Sequence, residues 1–287
     1  MNSVKTISVL VLALASSIGS TSEQQKMKLG DNAALRYWAA FSEMQDSGIT
    51  DRQAKELSLI LEGTSPYDDL KYKGLIEKNT LALDVMARGT SLPTCDWGLD
   101  YELRDQTPVE FVRKALSLGR LNVLYVFHLM IAGDKDGAVR TLVAGMHFSH
   151  DVANGGSLFA TLVAGDLLAT HFKAAAFALR NGLSPAQRLM LQKAVAQLGP
   201  EGVDWQSAMR REMGALNRPD WQVSVPLDQV TQAYAGALKD PATLPQLEDL
   251  LARVPLPLRD VIPNPKQILQ EKQDLTEKLR QMRSILQ

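Results

Sequence analysis

Histidine is the residue type whose spacing in this chain most suggests chemistry. His147 and His150 are three residues apart, on one face of a predicted helix, and Asp151 follows directly. His128 and His171 fall on the two predicted flanking helices. Imidazole and carboxylate groups can bind a metal ion or transfer protons near neutral pH, so these residues form one candidate site.

Helix geometry limits what the histidines can do together. In an antiparallel arrangement they would spread from roughly 7 Å above the following turn for His150 to roughly 24 Å for His171. The four imidazoles therefore cannot converge on one ion, although His147 could meet either His128 or His150. Because a catalytic zinc usually has three protein ligands, we predict no metal, no cofactor and no catalytic residue. We predict capped or core histidines, with a metal or acid–base site as the alternative. The possible polar cluster consists of His128, His147, His150 and Asp151.

The second candidate is the loop 95–102, with the sequence CDWGLDYE. It combines three carboxylates with two aromatic rings, which could form a rim that holds a sugar, a cation or a peptide. The predicted ligand-binding residues are Asp96, Trp97, Asp100, Tyr101 and Glu102. Glycoside hydrolysis would need two carboxylates about 5 to 10 Å apart across the scissile bond, which an acidic loop does not establish. The alternative is that Trp97 and Tyr101 plug the end of a helical stack.

Two smaller features of the sequence each allow two interpretations. Cys95, the chain's one cysteine, is either a small buried hydrophobe or a reactive thiol, which would need a nearby cation and exposure. The run Asn154-Gly155-Gly156-Ser157 is either a tight turn or an anion site at a helix N-terminus. Nucleophile-elbow, HExxH, phosphate-loop, dinucleotide and calcium-loop motifs are absent from the sequence.

Composition and the N-terminus predict an exported globular protein. The chain has 287 residues, 45% hydrophobic and 22% charged, and a formal charge of -1, which removes the electrostatic argument for nucleic acid. Residues 1–20 have the lysine, apolar stretch and small residues of a signal peptide. No cysteine lies near the cleavage point to carry a lipid. We therefore expect a periplasmic or extracellular protein with no transmembrane anchor after removal of the leader.

The elements that must position these residues are helices. Hydroxyl residues at Thr50, Ser65, Thr107 and Ser184 can cap helix starts. Apolar residues recur at spacings of three and four, as in Leu57, Ile60 and Leu61, and no alternating β-strand pattern appears. The predicted helices span 31–46, 51–62, 66–88, 108–132, 136–153, 157–181, 185–198, 203–216, 227–239, 243–253 and 265–286. The fold class is therefore all-α, an irregular α-α hairpin bundle or a short TPR-like solenoid.

The predicted organisation has four parts. A signal peptide (1–20) precedes a helical-hairpin domain (21–218), and a proline-rich wrapping segment with short helices covers 219–264. The last part, 265–287, is an amphipathic helix with a heptad of apolar residues. Its apolar stripe either packs on its own domain or pairs with another chain. The apolar helix at 156–179 contains charged residues that are costly in lipid, so we expect it to be buried.

Two sequence motifs resemble those of a protein family. N-A-A-x-x-Y-W at 32–38 and C-D-W-G-L-D-Y-E at 95–102 resemble a family of uncharacterised exported bacterial all-α proteins. The resemblance covers residues 31–182. It implies export and an all-α fold, and it carries over no activity and no catalytic residue.

The sequence thus favours an exported, non-enzymatic helical scaffold or interaction protein. Its partner would be another protein or, through the C-terminal helix, a second copy of the chain. The alternative function is a small-ligand or carbohydrate-binding protein, with possible hydrolytic activity, that uses the loop from Cys95 to Glu102.

Overall fold

The computed structural model describes residues 29–45, 49–99, 110–216 and 226–287. Within these ranges the chain is helical, with short 3-10 turns at Leu29–Asp31 and Pro241–Thr243 and an isolated parallel bridge between Asn32 and Thr94. The helices are α1 (Ala33–Glu43), α2 (Asp51–Leu61), α3 (Asp69–Gly89), α4 (Phe111–Ile131), α5 (Lys135–Ala153), α6 (Leu158–Arg180), α7 (Pro185–Gln197), α8 (Trp205–Leu216), α9 (Leu227–Lys239), α10 (Leu244–Ala252), α11 (Leu256–Arg259) and α12 (Pro265–Leu286). The all-α prediction is confirmed. The predicted leader lies outside the described residues.

Side-chain caps explain where several helices begin. Thr50 and Gln53 form a reciprocal capping box at α2, and Ser184 and Gln187 form another at α7. At α3 the prediction was wrong, because Asp68 rather than Ser65 caps the helix by accepting from the backbone N–H of Leu70 at 3.1 Å. A carboxylate also interacts favourably with the positive end of the helix dipole. The predicted start at Thr107 lies outside the described residues.

Antiparallel hairpins build the N-terminal half. α4 and α5 are joined by a turn at Gly133, whose φ of 82° suits glycine. α1 and α3 also run antiparallel, because the end of α3 at Gly89 lies against the ring of Tyr37 while the N–H of Gln45 donates to Asn79 Oδ1 at 2.8 Å. A methyl group at Gly89 would lie 2.6 Å from the Tyr37 ring, so glycine permits this close approach.

α6 lies at the centre of the helical core. It packs against α4, α5, α8 and α12, and most of its side chains are buried. Of the described helices it is the one long and apolar enough to cross a membrane, and 61% of its most apolar window is buried inside the protein. This burial is the pattern expected for the core helix of a globular fold.

The C-terminal helix α12 lays its apolar stripe on its own chain. Ile268, Leu275, Leu279 and Met282 are buried, and α12 contacts α6 and α7. Lys272, which interrupts the heptad, forms an ion pair with Glu201 at 2.7 Å. Of the two alternatives for the stripe, the structure shows packing within the chain, so a second copy could not use this stripe while α12 is docked.

Candidate functional site

Both candidate regions of the sequence meet at the C-terminal end of α5. The loop 95–99 reaches this point because it is fastened to the start of α1. The side chain of Asn32 both accepts from the N–H of Asp96 at 2.8 Å and donates to its carbonyl at 2.7 Å. The N–H of Ala33 donates to the carbonyl of Thr94 at 2.7 Å. These bonds fix the loop beside the helix that carries Tyr37 and Trp38.

The carboxylate of Asp96 has a local structural role. It is exposed, and its Oδ1 accepts from the N–H of Gly98 at 2.9 Å, which closes a turn. Gly98 has a φ of 64°, where glycine is favoured. The predicted ligand-binding residues Asp100, Tyr101 and Glu102 lie outside the described residues. Their role stays a prediction.

Trp97 is part of a packed aromatic cluster. Its side chain is 5% exposed, and its ring stacks on Phe111 at 4.1 Å between centroids and lies 5.7 Å from Tyr37 and 6.1 Å from Phe41. Its Nε1–H donates to the backbone carbonyl of Asp151 at 2.8 Å. Because the indole is buried among these rings and its N–H is bonded, Trp97 does not form the wall of an open rim, and for this residue the structure shows the packed alternative.

Asp151 is the residue that joins loop, α1 and α5. Its carboxylate accepts from the hydroxyl of Tyr37 at 2.5 Å, and Tyr37 is fully buried. Burial raises the pKa of Asp151 to about 6, although the bond from Tyr37 acts in the opposite direction. Burial and the neighbouring carboxylate raise the pKa of Tyr37, so the phenol stays protonated and acts as the donor.

Cys95 lies against the same backbone carbonyl. Its Sγ is 3.6 Å from the carbonyl oxygen of Asp151. Burial and the carboxylates of Asp151 and Asp96 raise the pKa of the thiol above its ordinary value. The nucleophilic form is the thiolate. This environment therefore favours the inert, buried interpretation of Cys95.

His147 and His150 flank this point on α5. Burial lowers the pKa of both imidazoles, and the proximity of His147 lowers that of His150 further. Both side chains are half-buried and predominantly neutral at pH 7.

The other two histidines lie elsewhere. His128 Nδ1 lies 2.7 Å from Asp69 Oδ1 rather than meeting His147. His171 is fully buried, with Nδ1 2.7 Å from the carbonyl of Leu167 and Nε2 3.1 Å from Asn122 Nδ2. Since a carbonyl only accepts, Nδ1 of His171 carries the proton and Nε2 accepts from the amide. Burial lowers the pKa of His171 to about 4.

The four histidines thus do not form one cluster. His147 and His150 share a helix face, while His128 and His171 have partners of their own. Across the residues that the structure describes, no group of three or more His, Cys, Asp or Glu side chains is placed to hold a metal ion.

A polar cavity of about 140 Å³ lies beside His150. Its lining comes from the end of α5, the following turn and α8, and consists of His150, Ala153, Asn154, Asp204, Ser207, Ala208 and Arg211. The Gly155-Gly156 turn separates this cavity from the aromatic cluster, because a side chain at Gly155 would meet Phe111 and one at Gly156 would meet Arg211. Both glycines are therefore needed for this packing.

Sequence reasoning did not identify the cavity residues on α8 or Asp204, which directly precedes this helix. Asp204, Ser207 and Arg211 are spaced three and four apart, which is one helix face, but the same spacing is common on any solvated helix. The paired glycines at positions 155 and 156 were the sequence feature that could have indicated a close contact here. No protein-family model, curated protein or solved structure matched the chain.

Proposed function

We propose that this chain is an exported, non-enzymatic helical scaffold that binds another protein or a second copy of itself. The observation that carries the proposal is an apolar face of α1. Leu35 and Trp38 are one helical turn apart and stay 41% and 40% exposed. Tryptophan is enriched among the residues that contribute most to protein–protein binding. Partner binding through this face would bury both side chains.

The packing beneath Trp38 supports its use as a binding residue. Its ring lies 6.1 Å from that of Trp97 and 6.2 Å from that of Phe111, between centroids. These buried rings restrict the motion of the exposed indole. A pre-oriented side chain loses less conformational entropy on binding, which favours affinity.

The arrangement at the end of α5 supports binding over catalysis. The indole N–H of Trp97 and the hydroxyl of Tyr37 both bond to Asp151. The thiol of Cys95 is held in its protonated form by burial. These groups stabilise the junction between loop, α1 and α5, and such a rigid junction suits a scaffold.

Site-specific photo-crosslinking tests the proposal. A photoreactive phenylalanine analogue is placed at Leu35 in the natural host, and a control chain carries it at Leu70, which is 87% exposed on α3. We expect an adduct of discrete size from position 35 and none from position 70. Mass spectrometry then assigns the adduct to a second copy or to another protein. If position 35 gives no adduct, or both positions give the same adducts, the proposal is wrong.

Export is part of the same proposal and has its own test. We propose that residues 1–20 are removed on export, with cleavage near Ile18 to Thr21. N-terminal sequencing of the chain recovered from the periplasm or medium should begin at one of these positions. Recovery of the chain from the cytoplasm alone, with Met1 retained, would exclude export.

The small-ligand alternative is favoured by one specific observation. The cavity beside His150 is polar and lies apart from the packed ring of Trp97. A ligand site would therefore use the far side of the Gly155-Gly156 turn rather than the loop at Trp97.

A further inference from the structure

The cavity between α5 and α8 is small and lined by polar side chains. At about 30 Å³ per water molecule, its 140 Å³ has room for about four or five waters. This volume suits a phosphate, sulfate or carboxylate group rather than a sugar or a peptide. Its polar lining comes from Arg211, His150, Asn154, Ser207 and Asp204.

The backbone turn fixes the position of Arg211. A Cβ at Gly156 would lie 2.0 Å from one terminal nitrogen of Arg211 and 2.8 Å from the guanidinium carbon. The guanidinium therefore lies directly against the glycine backbone, which has a φ of 74°. Arg211 also interacts with another group of the protein. Since a guanidinium has five N–H donors, it can serve a protein group and an anion together.

Two neighbouring carboxylates accept hydrogen bonds from backbone N–H groups at helix N-termini. Oδ1 of Asp204 accepts from the N–H of Ser207 at 2.9 Å at the start of α8. Burial acts to raise the pKa of Asp204, but hydrogen bonds from Ser207 and Gln206 and the charge of Arg210 lower it overall. Oε2 of Glu212 accepts from the N–H of Leu158 at 3.2 Å, at the start of α6. Each carboxylate therefore lies at the positive end of a helix dipole, which interacts favourably with it. These two helix ends are occupied by the protein's own acids.

The backbone N–H groups of the glycine turn also have hydrogen-bond acceptors within the protein. The N–H groups of Asn154, Gly155 and Gly156 donate to carbonyls in the last turn of α5 at 3.1, 3.1 and 2.9 Å. An anion in the cavity would therefore be bound by side chains. The Ser207 side chain is engaged by Asp204 and Arg210. Besides Arg211, the available donor types are therefore the amide of Asn154 and the imidazole of His150.

We propose that this cavity binds a small oxyanion, with Arg211 as the charged ligand and His150 and Asn154 as hydrogen-bond donors. The recognised chemistry is a phosphate, sulfate or carboxylate group, either free or at the end of a small molecule. Charge-assisted hydrogen bonds from the guanidinium provide most of the affinity. The bound anion also favours the protonated form of His150, since an adjacent negative charge stabilises imidazolium.

Calorimetric titration of the mature chain tests the site. Inorganic phosphate, sulfate and acetate are each titrated at constant ionic strength, and Arg211→Gln is compared with Arg140→Gln. Arg140 is the matched control, because it is an exposed arginine on α5 that does not line the cavity. We expect 1:1 binding of at least one anion with a Kd of about 1 mM or tighter. Arg211→Gln should weaken it at least about tenfold, while Arg140→Gln changes it less than about twofold.

Two further measurements keep the test decisive if Arg211→Gln does not fold. Asn154→Ala, at an exposed position, should weaken binding severalfold while the circular dichroism spectrum is unchanged. In the unchanged chain, NMR titration of His150 should show a higher pKa with the anion than with chloride alone. The proposal is overturned if no anion binds saturably, or if Arg140→Gln weakens binding as much as Arg211→Gln. It is also overturned if the His150 pKa is unaffected by an anion that binds.

Discussion

The hydroxyl of Tyr37 donates a hydrogen bond of 2.5 Å to Oδ2 of Asp151, a residue 114 positions later in the chain. This bond joins the first helix of the described fold to the C-terminal end of α5. The backbone carbonyl of the same aspartate receives the indole N–H of Trp97. Asp151 therefore holds together three segments that are far apart in sequence, and its protonation should affect the stability of the fold.

Tyr37→Phe should destabilise the protein more at pH 8 than at pH 5. Above the Asp151 pKa of about 6, the substitution leaves a buried carboxylate without its phenolic donor. A hydrogen bond to a charged group contributes about 1.5 to 3 kcal/mol, against about 1 kcal/mol between neutral groups. Urea denaturation at the two pH values measures the difference. Equal losses at pH 5 and pH 8 would show that the hydrogen bond does not depend on the charge of Asp151.

Asp151→Asn should stabilise the protein at alkaline pH. The folded-state pKa of about 6 lies above the ordinary value of 3.8, so the folded chain binds this proton more tightly than the unfolded chain. The carboxyl's contribution to stability is therefore greatest below pH 3.8 and is lost as the pH rises through 6. An amide can still accept from Tyr37 without a buried charge. We expect a gain of about 1 to 3 kcal/mol at pH 8 that disappears toward pH 4.

The control for this experiment is Asp84→Asn, at an exposed position on α3. It removes one carboxylate without changing the junction at Tyr37. Its effect on the free energy of unfolding should be small at both pH values. If Asp151→Asn is destabilising at pH 8, the carboxylate has a stabilising partner that outweighs its desolvation.

Gly145→Ala should destabilise the core around His171. An added Cβ would lie 2.1 Å from Nε2 of His171 and 2.3 Å from Nδ2 of Asn122, both fully buried. Overpacking of this kind costs about 1 to 3 kcal/mol, and loss of the His171–Asn122 hydrogen bond would add to it. Thermal unfolding measures the result.

Gly74→Ala is the matched control for this substitution. Gly74 also lies within a helix, and the space around its Cβ position is open. There the higher helix propensity of alanine should stabilise the fold by up to about 1 kcal/mol. Equal effects at positions 74 and 145 would mean that the packing around His171 is looser than described.

Local signals made the helices predictable. The capping box at Thr50 and Gln53 and the one at Ser184 and Gln187 involve residues three apart, so their chemistry is visible in the sequence. The start of α3 was less predictable, because Ser65 and Asp68 are both good capping residues within one turn. In the structure, the backbone N–H of Leu70 donates to the carboxylate of Asp68, so Asp68 is the cap.

The candidate site was predictable only in part, because its contacts are long-range. The sequence marked Trp97, His150 and Asp151, and the structure brings Trp97 and Asp151 into contact. The partnership of Asp151 with Tyr37 depends on how α1 packs against α5, which no local pattern specifies. The position of Arg211 against Gly156 depends in the same way on the packing of α8.

Leu279→Ala tests whether α12 is docked on its own chain in solution. Leu279 is fully buried, and its truncation should cost about 2 to 5 kcal/mol through lost apolar burial and the cavity left behind. The control is Ile285→Ala on the same helix, where the side chain is 52% exposed and the cost should be below about 1 kcal/mol. Urea denaturation is measured at two protein concentrations. Since the apolar stripe lies on α6 and α7 of the same chain, neither loss should depend on concentration. A loss at Leu279 that varies with concentration would place the stripe in an interface between two copies.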